Sequence, residues 1–331
     1  MKSVKASAPG SLFFAGEHAV VYNLPAIVTA VGKRTYVTAT QRLDNKIIII
    51  SDSFENAEAQ IVGQSLINRK FEKIALEPLL DLCEKCVQEF KLTQGFELNI
   101  ESEIMPESGM SSSTAVLCAI LKALDGLHNW NIREENYFDF LLPFQVKIHG
   151  GKASGAELAS SSIGGFNLVQ KIQIGNTTKL NRTNLGKKEF CIVIGNTKIR
   201  SATALAVQHV ANLKQRKPKS VEEAFGKIEK IVKEMEKAIA KGNEIKVGEL
   251  MNENQKWLTV LGVSHPKLDE CIQTALAYGA LGAKLSGGGW GGCMFALVRK
   301  QDQNKIANAL KELNCESIVT EIGVEGVRIE K

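Results

Sequence analysis

At 331 residues, 44% hydrophobic and 23% charged, the chain is long enough to bury a large core or two domains and has the composition of a globular protein. Lysine plus arginine exceeds aspartate plus glutamate by 41 − 36 = 5, a surplus that suits an anionic small molecule but is too small and too scattered for nucleic acid. No run approaches the roughly 18 apolar residues of a membrane span, and Pro9 and Gly10 arrive before any signal-peptide core, so neither a membrane nor secretion is expected.

Alternation and β-branched residues predict strands over 2–8, 26–40 and 46–50. Apolar residues at helical spacing (Leu66, Ile67, Ile74, Leu79, Leu80, Val87) predict a helix over 65–90. Cys83 and Cys86 lie within that pattern. A lone Cys-x-x-Cys with no second pair reads as helix core before it reads as zinc or redox chemistry. Seven cysteines, odd in number and thinly spread, indicate a reducing compartment, hence a cytoplasmic location. Phe96, Leu98 and Ile100 alternate with polar residues in a strand that enters a serine-rich loop, and a helix follows to about His128.

Further helices are predicted over 137–147, 201–215, 221–241, 246–261, 266–278 and 303–313, and strands over 165–174, 189–195, 294–298 and around 317–329. In the 221–241 helix, Phe225, Ile228, Val232, Met235 and Ile239 form a core-facing stripe. Between Ile174 and Glu189 the composition turns to Gly, Asn, Thr and Lys, and the limit between an N-terminal domain (1–180) and a C-terminal one (181–331) is expected there.

Three small-residue segments carry the chemistry. The loop Pro106-Glu-Ser-Gly-Met-Ser-Ser-Ser-Thr-Ala115 runs straight into an apolar helix, whose first turn offers free N–H groups and a partial positive charge to an anion. In isolation ordinary serine capping explains the loop better than a phosphate does, and no Gly-Lys-Ser/Thr makes it a Walker loop. The segment Gly16-Glu-His-Ala-Val-Val-Tyr22 lies far upstream. Far downstream, Gly287 to Gly292 places five glycines in six positions between apolar segments, where a flexible linker fits poorly and close backbone approach fits well.

Together and in this order, the three segments resemble the motifs of the GHMP kinases over nearly the whole chain. Within that family, Gly16-Glu-His-Ala-Val-Val-Tyr-Asn-Leu-Pro-Ala-Ile27, Gly262-Val-Ser-His-Pro-Lys-Leu-Asp269 and Gly279-Ala-Leu-Gly-Ala-Lys-Leu-Ser286 look most like the mevalonate kinase branch. The resemblance implies an α+β fold, its N-terminal domain of the ribosomal S5 domain 2-like type with a left-handed βαβ unit, its C-terminal domain ferredoxin-like. It also implies ATP and Mg²⁺ as cofactors and a mevalonate-like hydroxy acid as acceptor. A homodimer follows by analogy alone. By the same resemblance Pro106, Glu107, Ser108, Gly109, Met110, Ser111, Ser112, Ser113 and Thr114 wrap the nucleotide, and Ser113 is a magnesium ligand. Ser11, Glu17, His18, Gly287, Gly288 and Gly289 line the acceptor side, a turn histidine without a ligand being the lesser alternative for His18.

The departures from the family pattern are specific. Ser11 stands where a lysine is common, and Lys152 is the cation nominated in its place. Glu157 falls where the catalytic aspartate is expected, and Gln145 or Val146 where a magnesium-binding glutamate is expected. Ser111 and Trp290 each replace a glycine. Two other readings stay open: a phosphorylated acceptor such as phosphomevalonate, with Arg34, Lys198 and Arg200 as candidate cations, and a nucleotide-binding regulator without catalysis.

Overall fold

The computed structural model describes residues 1–52, 55–104, 109–149, 154–174, 177–201 and 203–331. Strand β1 (Ser3–Ala15) runs antiparallel to β2 (Ala26–Gln41), a strand rich in β-branched residues and long enough to be shared by several neighbours. Strands β3 (Lys46–Ser51), β4 (Glu55–Val62) and β5 (Ser65–Phe71) follow as an antiparallel meander. Helix α1 (Glu77–Phe90) leads to β6 (Phe96–Ser102), which lies antiparallel to β2 and parallel to β3. Then come α2 (Ser112–His128), α3 (Tyr137–Ile148), α4 (Ala156–Ile163) and the hairpin of β7 (Phe166–Ile174) and β8 (Thr177–Gly186).

The second half holds β9 (Phe190–Asn196), helices α5 (Thr203–Arg216), α6 (Pro218–Ala240), α7 (Glu244–Val260) and α8 (Pro266–Ala277), then β10 (Gly282–Leu285) and β11 (Cys293–Leu297). Helix α9 (Gln303–Glu312), β12 (Glu316–Ile322) and β13 (Arg328–Ile329) complete it. Strand, helices, two strands, helix, strand, in the order β10-β11-β9-β12 with every neighbour antiparallel, is the ferredoxin-like arrangement. One pairing, Ile322 with Val31, continues this sheet into that of the first half, and β13 pairs with β1.

One expectation from periodicity fails. Residues 65–71 form a strand, and the helix expected from Ser65 starts only at Glu77. The turn at Gly63 (φ +61°) folds β5 back on β4, and Pro78 sits in the first turn of α1, where its missing N–H costs nothing. The 174–189 stretch is mostly strand. β8 is exposed along much of its length, so its pattern is polar, and its partner β7 supplies the ladder. The position 180/181, where the domain limit is expected, lies within this strand.

Helix α2 is buried on nearly every side, from Thr114 to Leu124, against β1 and β2. Its first turn therefore has a fixed address at one end of the sheet. Cys83 and Cys86 lie on the buried face of α1, and burial pushes the Cys83 thiol up to about 12, as expected of inert packing residues. No described helix is long and apolar enough to cross a membrane.

Candidate active site

Each small-residue segment touches another. The backbone N–H of Ser11 on β1 donates to the Met110 carbonyl at 3.0 Å, tying the serine loop to the first strand. Gly10 makes this possible, because a Cβ there would stand 2.7 Å from the Met110 oxygen. A Cβ on Gly109 would meet nothing nearer than the Ser286 carbonyl, at 3.9 Å, so the serine loop faces the start of the glycine run. His18 Nε2 lies 3.0 Å from the Gly288 carbonyl. A carbonyl only accepts, so Nε2 carries the proton and Nδ1 is left as an acceptor.

Within the serine loop, Ser111 adopts φ +55° at the start of α2, and its side chain makes no capping bond. The ordinary capping role is thus unfilled. Ser112 and Ser113 are half-buried at this helix N-terminus. Pro106, Glu107 and Ser108 lie outside the described residues, as does Lys152. Ser111 and Trp290 (φ +57°), the two residues standing where glycines were expected, both sit in the left-handed region, at a cost of about 1 kcal/mol each. Trp290 has compensation: its backbone N–H donates to Val263 O at 2.9 Å and its indole N–H to Gly262 O at 2.8 Å. The neighbouring Gly289 (φ +81°) presses so close that a Cβ would stand 2.0 Å from the Val263 oxygen. The turn at 262–263 is therefore the bed on which the glycine run lies.

Behind His18, Glu17 is 2% exposed and pairs with Lys284 of β10, which is 0% exposed. The other Glu17 oxygen accepts from Asn254 Nδ2 at 3.1 Å, and Lys284 Nζ also donates to Leu285 O at 2.7 Å. Burial pulls the Lys284 ammonium below its usual value, and the Glu17 carboxylate opposes that pull. Sequence reasoning missed this lysine, although a lysine between Ala283 and Leu285 in a strand buried on both faces is a recognisable signal.

On the helical side, Gln145 of α3 is buried, and its amide donates to Thr114 Oγ1 at 3.0 Å and to Glu157 Oε2 at 3.3 Å. Ser154 Oγ donates to the same carboxylate oxygen at 3.3 Å. Glu157 sits in the first turn of α4, half-buried, so its reactive end is held from two sides while retaining access. Thr114 belongs to the serine-loop helix, so Gln145 joins the loop to the carboxylate. Gln145 Oε1, Ser11 Oγ and Ser286 Oγ are buried without a hydrogen-bond partner among the described residues. Buried polar atoms of this kind are costly unless a ligand or water meets them. With the free space before Gly109 and Gly287, they fit a phosphate-bearing ligand.

His18 has a measurable signature. Burial outweighs its bond to Gly288 and lowers its pKa from 6.5 to about 4. Between those values the unfolded chain binds a proton that the folded chain refuses, so stability falls as pH drops through this window, by roughly 3 kcal/mol in all. Urea unfolding at pH 7 and pH 4.5 should show that loss, and His18→Asn, which tolerates the positive φ, should remove most of it.

Comparison with known proteins gives a consistent picture. The GHMP kinases N terminal domain model matches residues 76–165, and the GHMP kinases C terminal model matches 212–314. A mevalonate kinase of Pyrococcus abyssi is 32% identical over 99% of this chain and 98% of its own length. That of Pyrococcus horikoshii is 32% identical over 100% and 99%. Among solved structures, the Methanococcus jannaschii mevalonate kinase superposes with a TM-score of 0.81 at 22% identity, covering 97% of this chain and 98% of that one. The L. major mevalonate kinase in complex with R-mevalonate superposes with a TM-score of 0.79 at 24% identity, covering 97% and 96%.

Proposed function

Because this chain belongs to the GHMP kinase family and is a small-molecule kinase that uses ATP, we propose that it transfers the γ-phosphoryl group of ATP to the primary hydroxyl of mevalonate. The observation that carries the reading is the convergence of three segments from distant parts of the chain, through Ser11 with Met110, Gly109 with Ser286, and His18 with Gly288.

Each residue has a physical task in this reaction. The N-terminal turn of α2 and the hydroxyls of Ser111, Ser112 and Ser113 receive the phosphates, where free N–H groups and the helix dipole favour negative charge. The glycine run closes over the transferring group from the other side, its backbone held by Trp290 and the 262–263 turn. His18, uncharged, presents Nδ1 as an acceptor to the hydroxy acid, its ring anchored through Nε2 on the Gly288 carbonyl. Glu157 accepts the proton of the attacking hydroxyl, its carboxylate oriented by Gln145 and Ser154. Magnesium would neutralise charge on the transferring phosphoryl group. Ser113 would hold it, and the unpartnered Gln145 Oε1 is a further oxygen of the type magnesium accepts.

A phosphorylated acceptor would need free cations at the site. Arg34 is committed elsewhere: buried, it donates to Ser7 Oγ at 2.6 Å and to the carbonyls of Glu325 at 3.0 Å and Gly326 at 2.7 Å. The deciding assay follows ADP release from Mg·ATP with mevalonate, phosphomevalonate and other hydroxy acids. Release that depends on mevalonate is expected. Release that depends on phosphomevalonate alone, or ATP binding without turnover for any acceptor, sinks the proposal.

A further inference from the structure

The strongest unexplained feature lies away from the phosphate site, between Cys271 of α8 and Cys315 at the head of β12. Their Sγ atoms are 3.0 Å apart, and both residues are buried. The other five cysteines are free thiols too, but among the described residues no other Sγ···Sγ hydrogen bond occurs. A disulfide needs an S–S distance of about 2.05 Å, so the two sulfurs must close by only about 1 Å. Their side chains already face one another across a packed apolar cluster that includes Ile272, Ile306 and Leu310. We infer that Cys271 and Cys315 are a disulfide site, a covalent modification that links α8 to the last strand of the C-terminal sheet.

The chemistry balances with a low-molecular-weight disulfide as oxidant. One cysteine, as thiolate, attacks a sulfur of the small disulfide and expels one small thiol. The second then attacks the mixed disulfide, the Sγ–Sγ bond forms, and a second small thiol leaves. The two protons end on the departing thiols, and the small disulfide has been reduced by two electrons. Burial raises the Cys271 thiol pKa, so thiolate is scarce in the folded chain and the reaction there is slow. The same burial shields the finished bond from reductants. Formation during folding, before the cluster closes, is the faster route.

The bond has a structural consequence because of what it encloses. The ring from Cys271 to Cys315 contains β10 with Lys284, the glycine run and β11. Oxidation would tether the segment that holds one wall of the phosphate site without touching any residue assigned there. The inference therefore stands or falls independently of the acceptor.

The test uses the full-length chain, held under reduced and oxidised glutathione in two arms, native incubation over days and refolding from urea. The expected result is a mass lower by two hydrogens and five free thiols in denaturant in place of seven. Peptide mapping should join the segments bearing Cys271 and Cys315, and the urea midpoint should rise. Cys271→Ala and Cys315→Ala should each abolish the mass change. Cys118→Ala should keep it, which separates loss of the bond from loss of the fold. Seven titratable thiols after both arms, or a link that maps to Cys293, overturns the inference.

Discussion

Replacing Glu157 by glutamine should lower kcat for acceptor phosphorylation by about 10²- to 10⁴-fold, the usual contribution of a positioned general base. The change is nearly isosteric, so the bonds from Gln145 and Ser154 have an oxygen to meet and the fold should persist. ATP affinity should change little, because the phosphates rest on the α2 turn and the glycine run. Steady-state ADP release and calorimetric ATP binding, measured on one preparation, separate the two effects. Full activity in this variant would remove Glu157 from the base role. Glu157→Asp tests geometry: losing a methylene withdraws the oxygens by about 1.5 Å, and a misplacement near 1 Å costs about 10²-fold. A drop of that order is expected, since the backbone around Glu157 is set for the longer side chain.

The second large effect concerns stability. Lys284→Met should destabilise the chain by about 3–5 kcal/mol, because it leaves the Glu17 carboxylate buried with Asn254 as its remaining partner. The urea midpoint reports the loss. Adding Glu17→Gln to the same chain should recover much of it, since removing both charges is far cheaper than stranding one. A single variant as stable as the parent would mean that Glu17 finds water in the folded state. A double variant no better than the single would place the cost in packing against Phe295, whose ring centre lies 5.1 Å from Lys284 Nζ.

The three motifs were legible because each is local: a run of serines, a run of glycines and a Gly-Glu-His turn announce themselves within a few residues. What joins them was not. Glu17 meets Lys284, and Gln145 meets Glu157, across segments that no periodicity links. At Gln145 the sequence showed a missing carboxylate; only the fold shows that its amide donates to both Thr114 and Glu157, which a carboxylate could not do. Ser111 and Trp290 could be seen as replaced glycines, but the left-handed backbone that makes the replacement costly needs coordinates. The strand at 65–71 was hidden by Leu66 and Ile67, whose spacing continues the apolar pattern of α1. The β8 strand was hidden by its polar exposed pattern.

The pairing of β13 with β1 sets the timetable of synthesis. Ala6 and Ser7 pair across the sheet with Ile329 and Arg328, residues made more than 300 positions later. Arg34 also waits for the carbonyls of Glu325 and Gly326. The edge of the N-terminal sheet at β1 therefore stays open until residues 328–329 are made, and an unpaired edge is a template for the wrong partner. Nascent chains stalled before residue 325 should be more sensitive to protease near β1 than chains released at full length.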